Sequence, residues 1–294
     1  MFPPCLRVLA TLLNRRGASQ AITSVILIMA AMSASVVAFF YAQLNLSTHS
    51  KQTEFENAKA SMESIAQIIE DLSYSKGAAA YTSISGGLTL TQGTESITVT
   101  VDDGINDVET WNLGRINLIR FRGGEGVSGS YFNVLRGDMS ITDKDVFLNR
   151  YLIISPSNPG PLGVVYQEWD KAAWINVDFG RIKVVPSGAV PYTENGLDWY
   201  NINSVQIIYL NITRNITGGE PHGSDVFDIY VRVKDVKTYL PRAFQSSIVE
   251  ISVNRGPEDD PSRYNNAYTI EGTGTNVLYT LVYLTVVEVE VSVR

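Results

Sequence analysis

The sequence predicts an α+β protein, in which a long N-terminal helix precedes a large antiparallel, sandwich-like β head. Three observations carry that reading. A strongly apolar, uncharged run occupies Ala21 to Leu44. A second segment repeats apolar residues at intervals of three and four from Phe55 to Leu72. From Ala78 onward, β-branched and aromatic runs alternate with Gly, Pro, Asn and Asp.

The apolar run belongs to a stretch, Gly17 through Ser50, that contains no Asp, Glu, Lys or Arg. A helix that spans a bilayer needs about 20 apolar residues, and Ile22, Val25, Ile26, Leu27, Ile28, Met29, Val36, Val37, Phe39 and Phe40 lie within this one. The only charges before it are Arg7, Arg15 and Arg16. Positive residues on that side hold the N-terminus in the cytoplasm and direct the remainder outward. Three kinds of segment fit. One is an uncleaved anchor. Another is a secretory signal cut after Ala38, where Val36-Val37-Ala38 meets the small-residue rule.

The third rests on Arg15-Arg16-Gly17, set directly against the apolar run through Ala18-Ser19-Gln20. This arrangement resembles the class III signal peptide of archaeal type IV pilins and archaellins, over about 60 of the 294 residues. The resemblance implies cleavage by a prepilin-type leader peptidase, with Arg16 and Gly17 before the cut and Ala18 as the new N-terminus. It further implies self-association through N-terminal helices, other pilin-like subunits as partners, and a filament with the head outside. Gln20 falls at the third mature position, where archaeal members often carry glutamine. Ile22 falls at the fifth, where bacterial major pilins carry Glu, and this departure favours the archaeal type. The domains expected are then a leader at 1–17, a transmembrane or filament-core helix at 18–44, a stem helix at 45–76 and an extracellular β head at 77–294.

The stem carries Phe55, Ala58, Met62, Ile65, Ile69 and Leu72 as one apolar stripe, with Glu54, Glu56, Lys59, Glu63, Gln67 and Glu70 on the other faces. The stripe is a packing surface, for the protein's own β domain or, in an assembly, for a neighbouring subunit. Lys76-Gly77 supplies a basic last turn and a glycine to close the helix. No Pro or Gly interrupts Ala18 to Ser75, so one helix roughly 87 Å long fits at 1.5 Å per residue. The polar segment from Asn45 to Ser50 is where it would break.

In the head, the expected strands are Tyr81–Ile84, Leu88–Thr91, Ser96–Val101, Asn117–Phe121, Tyr151–Ile154, Val164–Gln167, Trp174–Asp178, Arg181–Val185, Val205–Ile212, Phe227–Lys234, Ile248–Val253 and Val277–Val293. The last shows Val287, Val289, Val291 and Val293 on one face, and Glu288, Glu290 and Ser292 on the other. That alternation marks a strand with one buried face and one wet face. With no helical pattern between the strands, antiparallel pairing is expected. The run at 155–161 is the candidate internal break.

Composition narrows function. Thirty acidic against 23 basic residues give a net charge of −7, which supplies no cationic excess for nucleic acid. Cys5 is the single cysteine, so no internal disulfide forms, and His49 and His222 are the only histidines. No nucleophile–base set, phosphate loop or zinc spacing is present. The reading is therefore of a non-enzyme with no cofactor and no metal. The acidic groups Asp102, Asp103, Asn106, Asp107 and Glu258, Asp259, Asp260 read as solvated turns. Sequons at Asn45, Asn211 and Asn215 are candidate glycosylation sites, Asn211 and Asn215 by virtue of a loop running into Gly218-Gly219. The expected function is a cell-surface subunit, anchored in the membrane or assembled into an extracellular filament, whose head serves adhesion. The alternative is a single-pass anchored β domain that binds a ligand or partner without forming filaments. A secreted hydrolase ranks third.

Overall fold

The computed structural model describes residues 4–73, 75–85, 87–105, 107–194, 198–214, 226–272 and 277–293. One α-helix, α1 (Pro4–Leu72), opens the chain. It runs unbroken through Asn45 to Ser50, where Thr48 turns its hydroxyl onto the Leu44 carbonyl at 3.0 Å. That bond shares a carbonyl of the helical ladder, an arrangement the helix tolerates at small cost. The chain forms two compact units, residues 1–50 and residues 51–294. The second unit thus begins inside α1, and the apolar stripe belongs to it.

The strands that follow are β1 (Ala79–Ser85), β2 (Gly87–Asp102), β3 (Val108–Arg122) and β4 (Phe132–Arg136), then a short helix α2 (Lys144–Arg150). Next come β5 (Ile153–Ile154), β6 (Val164–Trp169), β7 (Ala173–Asp178), β8 (Ile182–Glu194) and β9 (Asp198–Arg214). The chain finishes with β10 (Val226–Thr238), β11 (Arg242–Phe244), β12 (Ile248–Pro257), β13 (Tyr264–Glu271) and β14 (Val277–Val293). Among the described residues the head contains two seven-stranded sheets. In the first the order is β1-β10-β14-β9-β8-β5, with β11 on β14; in the second it is β13-β12-β2-β3-β7-β6-β4.

Three features depart from the sequence reading. First, pairing is not all antiparallel: β14 lies parallel to β9 over Val277–Val291, and β5 is parallel to β8. A parallel pair needs a long crossover, and β10 to β13 supply it here without a helix. Second, α2 was not expected. Its N-cap, Asp143, accepts from the Val146 amide at 3.0 Å, and Phe147 and Leu148 face inward. Third, Leu88–Thr91 and Ser96–Val101 are two ends of one strand. A register shift between Gln92 and Ser96 absorbs the intervening residues. Gly93 is required there, because a Cβ would stand 2.4 Å from the Ile116 carbonyl oxygen.

The long strands serve two cores with opposite faces. Strand β14 gives Val287, Val289 and Val291 to the first core and Val282, Leu284 and Val286 to the second. In β9 the first core receives Ile208, Leu210 and Ile212, and the second Val205, Ile207 and Tyr209. Side chains alternate across a strand, and 17 residues at about 3.3 Å each extend far beyond one core layer. The one-face-wet reading of β14 is corrected accordingly: Glu288 and Glu290 are half-buried and Ser292 is buried. The run at 155–161 is a turn within the second unit, closed by paired backbone bonds between Ser155 and Asn158.

Candidate functional site

Two stretches of α1 differ in what surrounds them. From Ile22 to Leu46, every large apolar side chain is between 51% and 70% exposed. Val25, Ile26, Leu27, Ile28 and Met29 are consecutive, so the apolar surface covers the helix on all sides. This is the one segment, among the described residues, long and apolar enough to cross a membrane. Each such side chain gains about 1.5–3 kcal/mol when removed from water, so the segment is suited to a lipid or protein environment. Arg16, Gly17 and Ala18 lie on α1 before it.

Past Lys51 the pattern inverts. Phe55, Ala58, Met62, Ile65, Ala66 and Ile69 are at most 2% exposed, and Leu72 packs beside them. They meet Leu88, Leu90, Ile119 and Phe121 of the second sheet and Ile229, Val231, Val287 and Val289 of the first. The stripe is therefore occupied inside its own domain. The helix ends at Leu72, earlier than Lys76-Gly77. Gly77, at φ +77°, makes the turn, and its amide bonds the Val233 carbonyl at 3.0 Å.

A polar latch holds this helix end. Glu70 Oε1 accepts from the Leu162 amide at 3.1 Å, and Glu70 Oε2 accepts from Arg136 Nη2 at 2.8 Å. Arg136 Nη2 also donates to Gln67 Oε1 at 2.6 Å, and Nη1 donates to the Gly163 carbonyl. The Glu70 and Arg136 side chains are only 15% and 16% exposed. Glu70→Ala leaves the Leu162 amide without its acceptor and Arg136 without its ion-pair partner, and is expected to lower stability by about 1.5–3 kcal/mol. Urea denaturation of the variant beside the parent measures this.

A second polar group lies deep in the head. Arg255 Nε donates to Glu95 at 2.7 Å, Nη2 forms an ion pair with Asp178 at 2.8 Å, and Nη1 donates to the Gly180 carbonyl at 3.2 Å. Burial pushes the Asp178 carboxyl up, but Arg255 and Arg181 outweigh it and hold the group below its ordinary value. Arg181 is 1% exposed, and its Nε and Nη1 find no hydrogen-bond partner among the described residues. Burial pulls its guanidinium down to about 10, against the opposing pull of Asp178. The sequence reading missed this cluster, although a signal exists. Val249, Ile251 and Val253 point inward along β12, and the same period places Arg255 inside.

The other candidate residues are dispersed. Asn45 is exposed on α1. Asn211 is not in a loop: it is half-buried within β9, opposite Glu288 of β14, and the Thr213 hydroxyl of its sequon donates to the Val289 carbonyl at 3.3 Å. Asn215, Gly218-Gly219 and His222 lie outside the described residues, as does Asn106. The Asp102 and Asp103 carboxylates accept from backbone amides of their own turn, at 2.7 Å from Gly104, and at 2.9 and 3.0 Å from Ile105 and Asp107. These bonds turn the carboxylates onto the backbone. Among the described residues no group of three His, Cys, Asp or Glu side chains is placed to hold a metal. No protein-family model, no curated protein and no solved structure matches the chain.

Proposed function

We propose that this chain is a pilin-like cell-surface subunit, made as a membrane-anchored precursor, cut between Gly17 and Ala18, and assembled through its N-terminal helix into a filament. Its sandwich-like β head would form the outer surface and serve adhesion. The observation that carries this reading is the inversion along α1: apolar side chains are exposed on all sides up to Leu46, and a single stripe is buried in a β head from Phe55 onward. The buried stripe leaves the segment before Lys51 as the part of the helix available for subunit contacts. Assembly in this scheme uses hydrophobic and packing contacts between helices and needs no catalytic group.

The intact mass and N-terminal residue of the protein from its own membranes test the proposal. A chain beginning at Ala18 is the expected result, and Gly17→Val is expected to retain the full-length mass in a host that carries the peptidase. A chain beginning at Met1 would instead assign a single-pass anchored β domain that binds a ligand or partner. The helical conformation of α1 from Pro4 through Gly17 favours this second reading, because a peptidase must unwind that segment to cut it.

A further inference from the structure

One end of the second sheet collects around the point where α1 enters the head. The β3 end, the loop after it and the β6–β7 hairpin meet there. Gly123 donates to the Ala173 carbonyl at 2.8 Å and lies tight against Phe55, since a Cβ there would stand 3.0 Å from the ring. Lys51 Nζ reaches the Glu125 carbonyl at 3.5 Å, and the Ser128 amide bonds Gln52 Oε1 at 3.1 Å. Trp169 donates its amide to the Tyr131 carbonyl at 3.0 Å, and pairs with Ala173 across the hairpin.

The surface so formed is aromatic. Tyr131 is 85% exposed and Trp169 is 44% exposed. Trp174 lies half-buried at the same hairpin end but on the opposite face of the sheet, where its indole donates to the Asp170 carbonyl at 3.2 Å and the Arg120 and Arg122 guanidinium groups stand 4.2 Å and 5.8 Å from its ring. Two of the four tryptophans of the chain are at this one end. At the hairpin tip stands Lys171, at φ 57° the only non-glycine with positive φ among the described residues. That conformation is unfavourable for a residue with a Cβ, and it displays an exposed lysine where glycine or asparagine would be less strained. Exposed acidic groups, Glu125 and Asp170, stand among these cations, so the surface is mixed in charge.

Only Ser47 to Ser50 separate Leu46, the last large apolar side chain of the exposed run, from Lys51. Tryptophan and tyrosine concentrate at membrane–water interfaces because an apolar ring and a polar atom suit the headgroup level. The geometry points to a lipid-contacting base of the head, in which Trp169, Tyr131 and Trp174 lie among the headgroups of the bilayer that holds α1. The inference rests on the membrane-anchored precursor proposed above. The mixed charge makes aromatic insertion, and not attraction to anionic lipid, the source of the contact.

The test uses the full chain reconstituted in phosphatidylcholine vesicles whose acyl chains are brominated near their carbonyl ends. Flotation after an alkaline wash reports anchoring, and bromine quenching of tryptophan emission reports the contact. The chain is expected to float and to be quenched in this zwitterionic lipid. In Trp169→Phe/Trp174→Phe the remaining emission is expected to lose most of its quenching. Tyr131→Trp, at a site too exposed to disturb folding, is expected to add emission that bromine quenches. Flotation with no quenching in either the parent or Tyr131→Trp overturns the lipid contact and leaves the anchor intact. Emission that ignores bromine but shifts with protein density in unbrominated vesicles overturns it in favour of a second copy of the chain. Failure to float removes the membrane-anchored reading and this inference together.

Discussion

Residues 77–294, produced without the helix before them, are expected not to fold, whereas Lys51–Arg294 is expected to be a soluble, cooperative monomer. The difference is the buried half of α1. Phe55, Met62, Ile65 and Ile69 are each at most 1% exposed. Each contributes about 1.5–3 kcal/mol by leaving water, so together they reach the range of about 5–15 kcal/mol that is the whole stability of an ordinary domain. The loss is two-sided, because the same cut uncovers Leu88, Phe121, Ile229, Val231 and Val289 in both sheets. Circular dichroism and a urea melt of the two fragments decide the matter. A sigmoidal transition from the shorter fragment would show that the sheets hold together without the helix. Sedimentation of Lys51–Arg294 as a stable oligomer would show that assembly does not depend on the apolar segment before it.

That boundary shows which parts of the fold are legible in sequence. The stripe from Phe55 to Leu72 announces itself through its 3-and-4 spacing, because burial on one side of a helix imposes that period. Its owner is not legible, since the spacing is the same whether a sheet or another subunit covers it. Strand identity is legible at β14 through Val287, Val289 and Val291. Its partners are not, because the parallel pairing with β9 joins residues far apart in the chain, and nothing local distinguishes it from a hairpin. Strand β2 divides into two pieces in the sequence because Gln92, Gly93, Thr94 and Glu95 interrupt its apolar alternation, and the sequence does not reveal that the pairing with β3 absorbs them in a register shift. The sequon at Asn211 reads as a strand end, yet Thr213 is committed to the β14 ladder. The apolar segment stands apart, for its length and lack of charge suffice to mark it without tertiary context.

The second large effect is expected at the buried charges, with opposite signs for two arginines that sit close together. Arg255→Met is expected to lower stability by about 3–5 kcal/mol, because it leaves the fully buried Asp178 carboxylate without its ion-pair partner. Arg181→Met is expected to be neutral or to raise stability by up to about 3 kcal/mol, because it replaces an incompletely bonded buried cation with a side chain of similar bulk. The pH dependence follows from the same groups. In the parent, Asp178 is held below its ordinary value of 3.8, so its contribution is present above that pH and is lost as pH falls below it. Without Arg255, burial raises the carboxyl against only the Arg181 charge and the Gly180 amide, and acid relieves the charge that has lost its ion pair. The stability gap between parent and Arg255→Met is therefore expected to narrow as pH drops through the carboxylate range. Arg181 is depressed to about 10, so its penalty is present at neutral pH and fades as pH climbs past that value. Any advantage of Arg181→Met should shrink in the same window. Urea midpoints of both variants across pH settle each sign separately. Destabilisation by Arg181→Met of the same size as Arg255→Met would mean that Asp178 needs both arginines, and that the cluster acts as one unit.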